Sequence, residues 1–275
     1  MQPLGTWKNA PLAYVVAEVR FGSLLSLDSI AGRLQESLVS QFPRLIKGQA
    51  VALNFGAQVM TPQVVPRFHF LSEDSRTGVV LGHDTLAVHA TTYVDSAHFA
   101  EVLREVWGAW LHAWPKTFVE RLGMRYWDIV LPEGGLSVGD FFAAPFSGIE
   151  TLWPGGRLSR HTHELVYEVA GPITQSTVVR AGTVPAVQPY PPAFFFVPEL
   201  SPSERLQRAT ALAQREKDAT IAFLDVDASA EIKRIVDADT FVDCAKILHQ
   251  SQSAVFKALT SERGQTIWKD GVPDA

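Results

Sequence analysis

Between Ala10 and Phe21 the chain sets Val15, Val16, Val19 and Phe21 behind Pro11, a β-forming run of strand length. The period then changes. Leu27, Ile30, Leu34, Leu38 and Phe42 recur at three- and four-residue steps, which predicts a helix with one buried stripe. Ser26 or Asp28 is placed to cap it, and Pro43 to stop it. From 49 to 93 a period of two returns: Val51, Leu53 and Phe55 alternate, as do Phe68 and Phe70. The runs 79–81 and 86–89 follow across polar turns, so an antiparallel sheet is expected. Asp95 or Ser96 opens a second helix whose broad stripe takes in Phe99, Leu103, Val106, Trp107, Trp110 and Trp114. A strand over 118–130 completes a first half that reads β-α-β-β-β-α-β.

Pro132 and three glycines between 131 and 139 mark the best linker, dividing the chain into 1–135 and 136–275. Beyond it, 161–170 and 174–180 read as strands paired across Gly171–Pro172. A segment with six prolines, 184–202, leads into a polar helix over 203–217, and together they form an insertion over 184–217. A strand over 219–226 follows. The last helix starts at Asp239 as its cap and buries Phe241, Ala245, Leu248, Val255 and Leu259. The expected fold is α+β: two related sheet-plus-helix lobes sharing one mainly antiparallel sheet, with long packed helices. A closed or strongly curved sheet wrapped around a helix is the alternative.

Composition narrows the function. A chain of 275 residues, 47% hydrophobic and 19% charged, has the means to bury a core. A net charge of −5 argues against general nucleic-acid binding, which needs a surplus of cations on one face. Arg33, Arg44 and Lys47 fit a solvated helix face better than a basic patch. With Cys244 alone no intramolecular disulfide forms, and its place in an amphipathic helix suits a small buried filler. No apolar run approaches the roughly 20 residues of a membrane span, and the first ten residues lack a signal peptide's pattern. A cytoplasmic location is expected.

No phosphate-binding glycine loop, dinucleotide fingerprint or nucleophile elbow is present, and no cofactor is indicated. Two clusters carry candidate chemistry. His161 and His163, two apart on a strand, would face one side, and neutral imidazoles suit a divalent metal. Asp225 and Asp227 could complete such a site with oxygens, or act alone as paired carboxylates. The bland readings are exposed histidines on an edge strand and a strand end reaching solvent. His249 reads as a packed or surface helix residue, and the tryptophans as core. In Glu120–Tyr126, Arg125 among large side chains calls for a carboxylate, with Glu18 on the first strand the expected partner. Phe194, Phe195 and Phe196 cannot all point inward from an extended segment, so they form a candidate contact surface. Two functions follow: an accessory or binding protein acting through protein contacts, with a partner or with itself, or an enzyme using His161, His163, Asp225, Asp227 and a metal.

Asn9-Ala10-Pro11-Leu12, Glu18-Val19-Arg20-Phe21, Phe42-Pro43, Tyr93 and Glu120–Tyr126 occur in an order and spacing that resembles a sporadically distributed bacterial and archaeal family of conserved hypothetical proteins. Leu224–Asp227, Leu248-His249, Val255-Phe256, Thr260 and Trp268 extend the resemblance over nearly the whole chain. It implies no activity, cofactor or catalytic residue. It places Asp225, Asp227 and His249 inside family-like blocks and His161 and His163 outside them. The stretch 184–217 is longer than the family pattern.

Overall fold

The computed structural model describes residues 7–55, 60–143, 160–189 and 197–270. Its elements run β1 (Leu12–Phe21), α1 (Leu27–Leu38), β2 (Arg44–Phe55), β3 (Met60–Leu71), β4 (Thr77–Leu81), β5 (Thr85–Ala90), α2 (Ser96–Ala113), β6 (Phe118–Val130), β7 (His161–Val169), β8 (Gln175–Pro185), α3 (Glu204–Arg215), β9 (Thr220–Ile235), α4 (Ala238–Leu259) and α5 (Glu262–Asp270). The nine strands form one sheet, β2-β3-β4-β5-β1-β6-β9-β8-β7, antiparallel at every pairing. The α+β expectation holds. Outward from the central β1–β6 pair the order is β5-β4-β3 on one side and β9-β8-β7 on the other. A helix follows each flanking strand, α2 after β5 and α4 after β9.

Strand alternation assigns the two faces. Val15, Val19, Leu122, Met124, Val88, Ala228 and Ala230 point to one face, under Leu34 of α1, Leu103 and Trp107 of α2, and Phe241 and Leu248 of α4. This cluster draws on both halves of the chain. Burying each such large side chain contributes about 1.5–3 kcal/mol. The other face carries Tyr14, Val16, Trp127, Ile129 and Phe223 and is covered at one end by α3 and by Val197 and Leu200. Tyr14 Oη, hydrogen-bonded to His89 Nδ1 (2.8 Å), accepts from Val197 N (3.1 Å) and pins that cover. Arg205 of α3 is buried; it donates to Ala10 O (2.8 Å) and Asn9 O and pairs with Glu133 (2.9 Å), so the start of β1 is tied to α3.

Several sequence expectations shift. Asp237 caps α4 through Thr240 N (2.8 Å), and Asp239, two residues on, pairs with Arg104 instead. The strand expected over 219–226 runs on to Ile235. The linker expected at 131–139 is a tight turn closed by a Glu133–Leu136 bridge, with Gly134 and Gly135 at positive φ. Its Leu136, and Phe141 just after it, are buried under Trp268 of α5, the helix that sequence periodicity missed. Trp114 ends α2 as an exposed C-cap. Among the described residues, no helix is long and apolar enough to cross a membrane.

Gly182 of β8 is the tightest approach in the sheet. A Cβ there would meet the His161 carbonyl and stand 2.9 Å from Thr162 Cα on β7. Gly182→Ala therefore pushes the edge strand away, at a cost of roughly 1–3 kcal/mol. Hydrogen exchange should show amides 162–168 losing protection while those of β1 and β6 keep theirs. Unchanged protection in β7 would show that the two backbones have room to part.

Candidate ligand-binding site

Because β5 and β9 flank the central pair, the helices that follow them lie side by side on one face of the sheet. They meet where α2 ends and α4 begins. Trp107 of α2 stacks on Phe241 of α4 (4.6 Å between centroids, 13° between planes), and Arg104 pairs with Asp239. Toward the start of α2 the helices part. Ser96, Ala97 and Ala100 stand opposite Ala245, His249 and Ser253, over a floor of Met124 and Tyr126 from β6, around a cavity of about 550 Å³. A second cavity of about 180 Å³ adjoins it, sharing Ser96, Tyr126, His249 and Ser253. Its further walls include Trp7, Leu12, Tyr93, Phe256, Gln252 and Asp128.

The polar groups here are mostly deprived of water. Asp128 follows Leu122, Met124 and Tyr126 on the alternating inner face of β6, and the residue is 5% exposed. Burial pushes its carboxyl up to about 8; Arg205 opposes the shift and Asp225 adds to it. No described residue donates a hydrogen bond to that carboxyl. Tyr93 and Tyr126 share a hydrogen bond between hydroxyls (3.2 Å). Burial pushes Tyr93 up to about 12 and Tyr126 well above the usual phenol range. His249, its ring 5.5 Å from that of Tyr126, is held neutral by burial, with Nε2 3.2 Å from Ser253 Oγ. Gln252 donates from Nε2 to Met124 O (2.6 Å) and Val226 O (3.0 Å), which leaves its Oε1 without a hydrogen bond. The arrangement is an apolar cleft edged by neutral acids, phenols and an imidazole.

The residues singled out in the sequence lie elsewhere, His249 excepted. Asp225 and Asp227 share a face, as their spacing requires, but it is the face opposite the cleft. Asp225, fully buried, accepts from Arg125 Nε (2.6 Å) and Nη2 (2.5 Å) and from Arg180 Nη1 (3.3 Å). Asp227 lies 3.9 Å from Arg125, and burial raises its carboxyl against the pull of that guanidinium. Arg125 thus finds its carboxylate on β9 and not at Glu18, which accepts from Arg20 instead (3.0 Å). The register explains this correction: Arg125 stands opposite Asp227 and two residues from Asp225's partner Trp127, on the same face, whereas Glu18 stands opposite Gly123.

His161 and His163 do share a face, their rings 5.4 Å apart and His161 Nδ1 2.9 Å from Thr183 Oγ1. They are opposite Thr183 and Ala181, on the side of Leu224 and Ala222. The sheet itself separates them from Asp225 and Asp227. Among the described residues, no group of three or more His, Cys, Asp or Glu side chains is placed to hold a metal. Phe194, Phe195 and Phe196 lie outside the described residues.

Sequence reasoning missed Asp128, although the signal was present: a carboxylate in step with Leu122, Met124 and Tyr126 on one face of a strand. No family model matches the chain, and no curated protein is similar to it.

Asp128 makes stability depend on pH. Unfolded, its pKa is about 3.9, so between about pH 4 and pH 8 the folded state holds the extra proton. The stabilisation is present at low pH and is lost as pH rises toward 8. Asp128→Asn removes this dependence: about equal to the parent near pH 5, and more stable by about 2–5 kcal/mol at pH 8. Thermal unfolding of both proteins across that range checks it, and parallel pH profiles would show that Asp128 is ionised in the fold.

Proposed function

We propose that the protein binds a small apolar molecule in the cleft between α2 and α4. The observation that carries this reading is the pair of adjoining cavities, about 550 and 180 Å³, into which one helix pair opens. Together they fall within the range of roughly 300–1,000 Å³ typical of small-molecule sites. A few convergent polar groups with displaced pKa values among apolar walls mark such sites more often than structural ones. The expected alternative, a metal enzyme on His161, His163, Asp225 and Asp227, needs side chains that the sheet holds on opposite faces. The blocks that carry the family resemblance contribute Pro11, Leu12, Tyr93, Tyr126, Val226, His249 and Phe256 to the cleft. The reading therefore extends, as a proposal, to chains that share those blocks.

N-phenyl-1-naphthylamine, an apolar dye that fluoresces when it leaves water, tests this. The parent protein should bind it with saturation. Ser253→Trp, which fills the junction of the two cavities, should weaken binding by about tenfold or more, the value of ~1.4 kcal/mol, without lowering Tm by more than a few degrees. Dye binding that ignores the tryptophan would place the apolar site elsewhere.

A further inference from the structure

The smaller cavity has a carboxyl and, among its described walls, no permanently charged cation. Trp7, Tyr93, Tyr126 and Phe256 line it together with Asp128, and no lysine or arginine is among its described walls. The guanidinium that acts on Asp128 from behind, Arg205, is committed: it pairs with Glu133 and donates to the carbonyls of Asn9 and Ala10. Asp128 is 95% withdrawn from solvent, lines the cavity and receives no hydrogen bond from a described residue. A buried carboxyl in that position is costly whichever form it takes, unless an occupant supplies the missing donor.

We propose that the occupant of this cleft is an organic amine, its ammonium group received by Asp128 and its apolar body by Trp7, Tyr93 and Phe256. The inference rests on the small-molecule reading above and names the ligand class for it. An ammonium group brings up to three donors and the positive charge that the lining lacks. Aromatic faces around a desolvated cation add attraction that a neutral ligand does not receive. An anion would find no lysine or arginine among the described walls to receive it. An ammonium group holds Asp128 as a carboxylate, the carboxyl's proton passing to solvent, whereas a neutral ligand leaves that proton in place.

The test compares 2-phenylethylamine with 2-phenylethanol, near-isosteres that differ in charge, by calorimetric titration of the full chain. The amine should bind the parent protein about tenfold more tightly than the alcohol, and Asp128→Asn should reduce that preference to about threefold or less. The same variant should still take up N-phenyl-1-naphthylamine, which shows that its cleft is intact. Equal affinity for amine and alcohol in the parent, or a preference that survives Asp128→Asn, overturns the amine assignment. If the dye still binds, the cleft reading stands without it. A parent protein that takes neither amine nor dye overturns both.

Discussion

The antiparallel pairing of β1 with β6 decides where everything else can go. Val15 stands opposite Tyr126 and Val16 opposite Arg125, so the strand that opens the first half of the chain is the direct neighbour of the strand that closes it. β5 then pairs on the free edge of β1, and β9, from the second half, on the free edge of β6. The helices that leave those strands land together on one face, and the Trp107–Phe241 stack joins them at one end. Packed cores do not deform continuously, so helices joined at one end and parted at the other leave a fixed opening. The cleft is a consequence of topology before it is a consequence of any polar residue.

That geometry explains much of what the sequence disclosed. Helix α2 was legible because seven of its side chains are buried along one stripe, and β6 because Leu122, Met124 and Tyr126 recur at every second position. Helix α5 was not legible, since Ile267 and Trp268 are its only buried apolar side chains and two adjacent positions give no period. The partner of Arg125 was out of reach for another reason. It lies 100 residues away on β9, and cross-strand register is set by which strands meet, a property of the whole sheet. The cleft itself was half visible: Tyr126 and His249 fall in a strand and a helix that the hydrophobic pattern predicts, but only the fold shows that they face one another.

Cost separates the polar residues that hold the fold from those that face the cleft. Arg205 and Glu133 are both buried, and each satisfies the other while Arg208 and Asn9 close the remaining positions. Removing one partner from such a pair leaves an uncompensated charge, which is why the whole set stays together. It joins the start of β1, the 133–136 turn and α3. The network thereby closes the end of the sheet where Asp128 sits.

Asp225 and Asp128 make the sharpest comparison, because they are the same residue type on adjacent strands of one sheet. Asp225, opposite Trp127, is fully buried and bracketed by Arg125 and Arg180, so its charge is met by the protein. Asp128, opposite Leu224 on the next position of the same ladder, is almost as deeply buried, and its carboxyl is pushed toward neutrality with no donor of its own. Stability alone would favour an apolar side chain there, as at Met124 and Val130 on the same face. A carboxyl at that position, turned to the cleft and without a donor among the described residues while its neighbour is doubly paired, is the contrast on which the proposed amine site rests.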